Sequence, residues 1–568
     1  MHLRAPSFEP NATRTIVSAN GARVIDDAIE QSERLTRRMY EVRPGVWTLV
    51  GNGLSNQSFV EGPDGVIAID SGESIQEMNA ALDELAAVCD RPVVAVLCTH
   101  FHYVSGTQAV IDRFGEVPIY GHARIDINWQ RVGGEIAPTY SRGIVEQFAI
   151  VLPDSGPDAV EHVGLGMRYH NAAHIPFTRG FVSPSHTFDA ETTLHVAGLS
   201  VEVTPAPSDA DDSVTFWFPE LGVAAHNLVW PLLFNIFAIR GEEYRDPRVL
   251  LRGIDHLIAL GADHLIGTHG PPLSGAHDVE RRGTLYRDSI AFMWDQTVRL
   301  TNRGATGNDL AHQIRLPEHY NDDYLTRESY GVVEHHVRQI RTGLFGFFDG
   351  DESALFPLPT HERSARLIDG FGGRENVRSQ VREAIASDEL RWATELATWL
   401  VHSDECEVQD RELLATALRE IAARTPAANI RNWCLTRARD LDGTFDMSGF
   451  RAHRLRFSEI LATPLTDSVS VLRVLVEPSK IDGLDVRIGW RCDDEWAALH
   501  VRNGVAVPMT ASTFDATLHC TKSVWAALAS GRTTIDNAVA DGSFAISGDG
   551  AGANQFLRAL DVASLRPA

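Results

Sequence analysis

Short apolar runs separated by turn residues dominate the first half of the chain. Residues 47–50, 58–60 and 65–70 each form such a run, and each is followed within two residues by Gly, which predicts strands. A stretch of helical period follows at 74–88, and the apolar run at 92–98 predicts the next strand. Strands and helices continue to mix up to about residue 285, which predicts a layered α/β domain.

The second half of the chain changes from helical to strand-like patterning. Apolar positions with helical spacing run from 286 to 425, and the segments 389–403 and 407–423 predict an αα-hairpin. After residue 440 the runs 469–476, 485–490 and 497–501 predict strands. We therefore expect three domains, at 1–285, 286–425 and 440–568.

Composition and charge narrow the class of partner. Of the 568 residues 44% are hydrophobic and 22% charged, which is typical of a folded globular protein. The 76 acidic and 51 basic residues leave a formal charge of -25, which repels nucleic acid and anionic membranes. An anionic small-molecule substrate would therefore need local cations to hold it.

The cysteines and the N-terminus bear on the compartment. Six Cys without any close pair match neither a disulfide framework nor a cysteine zinc site, so we expect reduced thiols. The first residues lack the apolar core of a signal peptide, and no window reaches 18 uninterrupted apolar residues. These features predict a soluble cytoplasmic protein without stable membrane insertion.

A pair of histidines directly follows the predicted strand 92–98. His100 and His102, two positions apart in a loop, can direct both imidazoles at one divalent ion. A chain with 23 His contains about one such pair by chance, so the pair needs support from its context.

The order of elements around this pair supplies that context. Asp70-Ser-Gly72 after one strand, His100-Phe-His102 after the next and Thr268-His269-Gly270 much later resemble the metallo-β-lactamase superfamily. That resemblance implies an αββα sandwich. Further motifs, at 235–241, 244–247, 330–335 and 346–350, resemble the type III alkylsulfatases, zinc enzymes that hydrolyse alkyl sulfate esters.

The resemblance extends over nearly the whole chain. Residues 286–425 look like that family's helical dimerisation domain, which implies a homodimer. Residues 525–531 and 546–549 look like its α+β sterol-carrier-type (SCP2-like) C-terminal domain, which implies an apolar groove for an amphiphilic substrate. Packing within an oligomer is the alternative role for such a groove.

The metal motif departs from the family pattern. The family has HxHxDH, whereas here His102-Tyr103 continues as Val104-Ser105, either through a two-residue deletion or through direct replacement. Val offers no donor atom, so a two-metal site of the usual kind is not expected. This departure favours one zinc ion per chain, or no metal. Its ligands would come from His100, His102, Asp209 or Asp212, His226 and His269, and one of His122, His170, His174 or His186 could replace a lost ligand.

Residues on the substrate side match the family better. Asn235 and Arg240 keep the family's spacing, and a guanidinium can hold a tetrahedral oxyanion through two parallel hydrogen bonds. The alternative for Arg240 is an ion pair with Glu242 or Glu243. His335 matches the family's catalytic proton donor, with His336 beside it, and Tyr330 would line the same pocket.

Three functions remain open from the sequence. The first is an alkylsulfatase-like hydrolase with a reduced metal site. The second is a hydrolase of another ester class on the same fold. The third is a catalytically silent dimeric protein that binds lipids or anions.

Overall fold

Two mixed β-sheets lie face to face in the first half of the chain. The computed structural model describes residues 2–4, 7–132, 135–450, 456–510 and 513–561. The first sheet contains seven strands in chain order: Arg38–Arg43, Val46–Val50, Gln57–Gly62, Gly65–Ile69, Val93–Leu97, Ile119–His122 and His186–Phe188. Its first three pairings are antiparallel, and its last three are parallel.

The second sheet contains six strands, also in chain order. They are Thr192–Val196, Leu199–Pro205, Val214–Phe218, Val223–His226, His264–Gly267 and Leu273–Ser274. Apolar side chains of both sheets form one buried cluster, to which Ile67 and Leu97 contribute from the first sheet and Val201 and Phe216 from the second. Burial of alternate side chains against a facing sheet is what stabilises such a sandwich.

Helices cover the outer faces of the two sheets. Ile75–Ala86 and Thr107–Phe114 contact the first sheet, whereas Ala276–Thr301 contacts the second and packs beside Pro247–Ala259. The Ser74 side chain caps the N-terminus of Ile75–Ala86, and the Asp246 side chain caps the N-terminus of Pro247–Ala259. The predicted α/β sandwich of αββα type is confirmed.

Helices continue beyond the sandwich. They are Gly307–Gln313, Val333–Phe345, Thr360–Gly370, Arg374–Ala386, Leu390–His402, Val408–Arg424 and Ala428–Leu441. The αα-hairpin predicted at 389–403 and 407–423 is confirmed by the paired helices Leu390–His402 and Val408–Arg424. Shorter elements near the N-terminus are the strands Thr15–Val17 and Arg23–Ile25 and the helix Asp27–Arg34, and the helices Ile125–Val132 and Ala137–Gln147 follow the strand Ile119–His122.

The chain divides into two compact units. One consists of Met1–Trp129 and Gly143–Phe445, and the other of Gln130–Arg142 and Asp446–Ala568. The helix Ala276–Thr301 passes through residue 285, where we placed a domain boundary, so the division of the first unit into two domains stays a prediction. Residues 562–568 of the predicted third domain lie outside the described residues.

The second unit has its own sheet and core. The strands, in sheet order, are Val505–Pro508, Glu495–Arg502, Val486–Cys492, Ala516–Cys520 and Ala545–Gly548. The helices are Phe457–Ala462, Leu465–Ser470, Lys522–Ala529, Ile535–Ala540 and Gly550–Arg558. The strand predicted at 469–476 is wrong, because Leu465, Val469 and Leu472 are buried at helical spacing in a helix that continues as the 3-10 helix Val471–Leu475.

In the described part of the chain, each helix is too short or too polar to cross a membrane.

Candidate metal and anion site

A chain of hydrogen bonds fixes the orientation of His100. Asp70, which follows the strand Gly65–Ile69, accepts hydrogen bonds from the Thr99 amide at 2.8 Å and from the Thr99 hydroxyl at 2.7 Å. Since that hydroxyl donates to Asp70, it accepts from His100 Nδ1 at 2.9 Å. The proton of the His100 ring therefore lies on Nδ1, and its buried Nε2, which has no hydrogen-bond partner in the described residues, keeps a free lone pair.

His100, His102 and Asp209 form a group that fits one divalent ion. Asp209 Oδ2 lies 3.1 Å from His102 Nδ1 and 3.8 Å from His100 Nε2, and the three ligand atoms all lie within 4.8 Å of one another. Metal bonds of about 2.0–2.2 Å in a tetrahedron separate ligand atoms by about 3.4 Å, which is close to these distances. We call these three residues the metal triad.

Neighbouring side chains direct the Asp209 carboxylate. The Asn227 side-chain amide donates to Asp209 Oδ1 at 2.5 Å, and the Ser208 hydroxyl donates to the same atom at 3.2 Å. These bonds occupy Oδ1 and leave Oδ2 for the two imidazoles. Asn227 therefore orients one of the ligands of the group.

Burial and charge set the protonation states of the triad. Burial opposes ionisation of Asp209, but His100 and His102 together hold the pKa of its carboxyl well below the usual value. Burial lowers the pKa of His100 to about 3. At neutral pH the site therefore combines a carboxylate with a neutral His100 imidazole, which are the forms that bind metals.

The other three predicted ligands lie outside the triad. Asp212 is buried, and burial raises its pKa to about 7. His226 Nδ1 accepts hydrogen bonds from the Leu228 and Val229 amides at 3.1 and 3.3 Å, so its proton lies on Nε2 and neither nitrogen has a lone pair for a metal. His269 Nε2 lies 3.3 Å from the Tyr103 hydroxyl. Among the residues the structure describes, only the metal triad forms a group of this kind.

A pocket of buried hydrogen-bond donors is formed by Asn235, Arg245 and His336, which we call the donor pocket. Arg245 donates from Nη1 to the Asn235 carbonyl at 2.7 Å, while its Nε and Nη2 are buried and have no partner in the described ranges. His336 Nδ1 accepts from the Phe237 amide at 3.2 Å, so its buried and unpartnered Nε2 carries a proton. Both side-chain atoms of the Asn235 amide are also buried and unpartnered.

Gly331 leaves the space in which two of these groups meet. A Cβ at this position would lie 2.6 Å from Asn235 Oδ1 and 3.1 Å from His336 Nε2. Buried donors without acceptors are rare in folded proteins, because each costs about 1–3 kcal/mol. Three side chains that present such donors together indicate a site for an anion with several oxygen acceptors.

A series of ring contacts leads from the donor pocket through Trp230, His269 and Tyr103 to His100 of the metal triad. The positive charge of Arg245 contributes to lowering the pKa values of His100, Asp209 and His336. The Arg245 guanidinium lies 5.9 Å from the centroid of the Trp230 ring, and that ring lies 5.7 Å from the ring of His269. A ligand held by the donor pocket would therefore lie near the triad.

Three predicted substrate-side residues have other partners. Arg240 forms a buried ion pair with Glu242 at 2.9 Å, which is one of the alternatives that the sequence leaves open. The Tyr330 hydroxyl accepts from the Gln147 side chain at 2.5 Å, and Gln147 in turn accepts from the Arg240 amide at 3.3 Å. His335 packs edge to face on Phe237, and its Nε2 lies 3.8 Å from a Glu334 carboxylate oxygen.

Comparison with known proteins places the chain in a family. Residues 306–444 match the family described as Alkyl sulfatase dimerisation, and residues 458–566 match Alkyl sulfatase C-terminal. The linear primary-alkylsulfatase of Pseudomonas sp. (strain ATCC 19151) is 30% identical over 468 residues, which cover 79% of this chain and 87% of that protein. The chain belongs to the alkylsulfatase family. The predicted family and the predicted class, an alkylsulfatase-like hydrolase, are confirmed.

A further relative and a solved structure are also similar to most of the chain. The (R)-specific secondary-alkylsulfatase of Pseudomonas sp. is 26% identical over 92% of this chain and 80% of its own length. The structure of the stereoselective inverting sec-alkylsulfatase Pisa1 from Pseudomonas sp. superposes with a TM-score of 0.83 at 24% identity, and the match covers 99% of this chain and 92% of that one. This alkylsulfatase therefore shares its fold over nearly its full length with Pisa1.

Sequence reasoning gave Arg245 no role and left His336 only as a neighbour of His335. Arg245 lies in the motif at 244–247, which we used only to recognise the family. For His336 a signal was present, because Val333, His336, Val337 and Ile340 are spaced as one buried face of the helix Val333–Phe345. His335 comes one position before His336 and therefore does not lie on that buried face.

Proposed function

We propose that this alkylsulfatase hydrolyses sulfate esters of alkyl chains at the combined metal triad and donor pocket. The observation that carries the proposal is the set of buried donors on Arg245, Asn235 and His336, which have no acceptor in the described chain. A sulfate ester has three non-bridging oxygens that accept hydrogen bonds. It therefore supplies the acceptors that these donors lack.

Arg245 is the principal anion ligand in this proposal. Its Nε and Nη2 lie on one edge of the guanidinium, and such an edge can donate two parallel hydrogen bonds to two sulfate oxygens. Its Nη1 bond to the Asn235 carbonyl holds that edge in place. A buried cation of this kind also offsets the repulsion of an anion by a chain with a net charge of -25.

The metal triad would hold one divalent ion, for which we propose Zn²⁺. His100, His102 and Asp209 would be its ligands from the protein. Three protein ligands leave a further coordination position open, as in catalytic zinc sites. Such an ion, when bound, supplies Lewis-acid polarisation of an oxygen, which is the chemistry that ester hydrolysis needs.

His336, rather than His335, is the imidazole that we propose to face the anion. Burial lowers the pKa of His336 to about 3, so the ring is neutral and donates a hydrogen bond from Nε2. A fixed neutral donor in a buried site stabilises charge that develops on an oxygen. His335, whose ring packs edge to face against Phe237, would instead stabilise the packing of the helix Val333–Phe345.

We further propose a homodimer and an alkyl-binding groove. The segment 345–358 exposes several large apolar side chains, among them Phe347 at 83% and Phe356 at 89%, within the region that matches the dimerisation family.

In the second unit an open groove of about 1220 Å³ is lined in part by Ile535, Val539 and Ile546, which suit an alkyl chain.

The test is release of inorganic sulfate, measured by ion chromatography. Purified protein with added Zn²⁺ would be incubated with short and long, primary and secondary alkyl sulfates. We expect sulfate to appear with at least one of them, and the His100→Ala variant to release none. Cleavage of alkyl phosphates or carboxylic esters alone would identify the other ester class, and the absence of any turnover while fatty ligands bind would identify a silent binding protein.

A further inference from the structure

Tyr103 lies between two of the predicted metal ligands. Its ring is buried and stands nearly at right angles to the rings of His100 and His269, with centroids 5.1 and 5.3 Å away. Its carbonyl accepts a hydrogen bond from the Ser71 amide at 2.8 Å, which fixes the backbone of the loop beside the first sheet. The ring therefore fills the space that separates His100 from His269.

The tautomer of His269 follows from its two neighbours. His269 Nδ1 lies 3.1 Å from the carbonyl oxygen of Leu54, and a carbonyl only accepts, so Nδ1 carries the proton. His269 Nε2 therefore has the lone pair, and it lies 3.3 Å from the Tyr103 hydroxyl. The hydroxyl donates to the nitrogen that would otherwise be available to a metal.

Three positions that could supply ligands to a second ion, 104, 226 and 227, offer it no free donor atom in the described structure. Position 104 is a buried valine, and the proton on His226 Nε2 removes that imidazole as a ligand. The Asn227 amide nitrogen faces Asp209, and its oxygen accepts from the Trp230 indole at 3.1 Å. A second divalent cation would therefore lack these three ligands and would meet the positive charge of Arg245, which also acts on Asp209.

We infer that the Tyr103 hydroxyl takes the place of a second metal ion as the partner of His269. The six candidate ligands of the sequence are enough for two ions of ordinary coordination number, but this pairing withdraws His269 from metal binding. The centre then holds one ion on the metal triad. The inference rests on the metal site of the proposed function, and it assigns Tyr103 as a positioning residue that sets the number of ions.

Metal stoichiometry and affinity test the inference without any measurement of turnover. Zinc would be counted by mass spectrometry after equilibration with excess Zn²⁺ and removal of free ion, and affinity would be measured against a chromophoric chelator. We expect one ion per chain in the wild type and in His269→Ala, with affinities within about threefold, whereas His102→Ala should weaken binding at least a hundredfold. Two ions in the wild type, or a hundredfold loss in His269→Ala, would overturn the inference.

Cobalt spectra provide a readout that folding alone does not change. The visible bands of bound Co²⁺ depend on its ligands, so they should be the same in the wild type and in His269→Ala, whereas Tyr103→Phe, which frees His269 Nε2, should bind additional Co²⁺ or change the bands. A change of these bands in His269→Ala would show that His269 is a ligand and would overturn the inference. Tyr103→Phe keeps the ring in place and also tests the inference if His269→Ala does not fold, because one ion with unchanged bands in Tyr103→Phe would overturn it.

Failure of this inference and failure of the proposed function give different results. A wild type that binds two ions and hydrolyses alkyl sulfates would overturn the role of Tyr103 alone. A wild type that binds one ion, keeps it in His269→Ala and hydrolyses no alkyl sulfate would overturn the function alone.

Discussion

Replacement of Arg245 by methionine tests the donor pocket most sharply. Methionine is an unbranched side chain that fits a buried apolar setting, and it removes both unpartnered guanidinium donors at once. A hydrogen bond between charged partners contributes about 1.5–3 kcal/mol, so loss of two at the lower end of that range costs about 3–4 kcal/mol. Since each 1.36 kcal/mol is tenfold in rate, kcat/KM for an alkyl sulfate should fall by about 10²–10³.

The assay compares Arg245→Met with Arg248→Met, three residues further along the chain. Arg248 is 55% exposed and pairs with Asp246, so its replacement should change kcat/KM less than threefold. Product inhibition by inorganic sulfate should weaken in parallel with kcat/KM in Arg245→Met only. A folded Arg245→Met enzyme whose kcat/KM stays within threefold of the wild type would refute the assignment of Arg245 as the anion ligand.

Three further outcomes follow from the structure. Thr99→Val removes the hydroxyl that fixes the His100 ring, so Zn²⁺ affinity measured by chelator competition should weaken about 10–100-fold, and unchanged affinity would contradict that role. Burial raises the pKa of Glu77 to about 7, so the folded chain holds a proton that the unfolded chain releases above about pH 4.5. The free energy of unfolding should therefore decrease as pH rises from about 4.5 to 7, and urea titrations of Glu77→Gln should show a weaker decrease. Phe347→Asp with Phe356→Asp should shift the protein from dimer to monomer in sedimentation, and a monomeric wild type would refute the proposed interface.

Much of the fold can be predicted from local pattern. The strands predicted at 47–50, 58–60, 65–70 and 92–98 and the hairpin of Leu390–His402 and Val408–Arg424 have periodicity and turn residues that agree with their tertiary environment. The segment 469–476 is rich in β-branched residues, yet it folds as a helix and a 3-10 helix because Leu465, Val469 and Leu472 pack into the core of the second unit. In this segment the burial of apolar side chains outweighs the local preference for β-strand.

The candidate site is harder to predict from the sequence than the fold is. Asp209 and Asp212 lie three positions apart in one acidic turn, and only the folded chain shows which of them meets His100 and His102. The state of His269 depends on Leu54 and Tyr103, which are 215 and 166 positions away in the chain. A tautomer that depends on partners so distant in the chain cannot be predicted from a local sequence pattern.

The most direct test of the account is sulfate release by one protein sample followed through removal and return of its metal. The sample would be assayed with a long-chain alkyl sulfate as purified, after dialysis against a chelator with metal content checked by mass spectrometry, and after addition of one equivalent of Zn²⁺. The account predicts turnover, its loss with the metal, and its recovery at one ion per chain. Undiminished sulfate release by protein without detectable metal would contradict it.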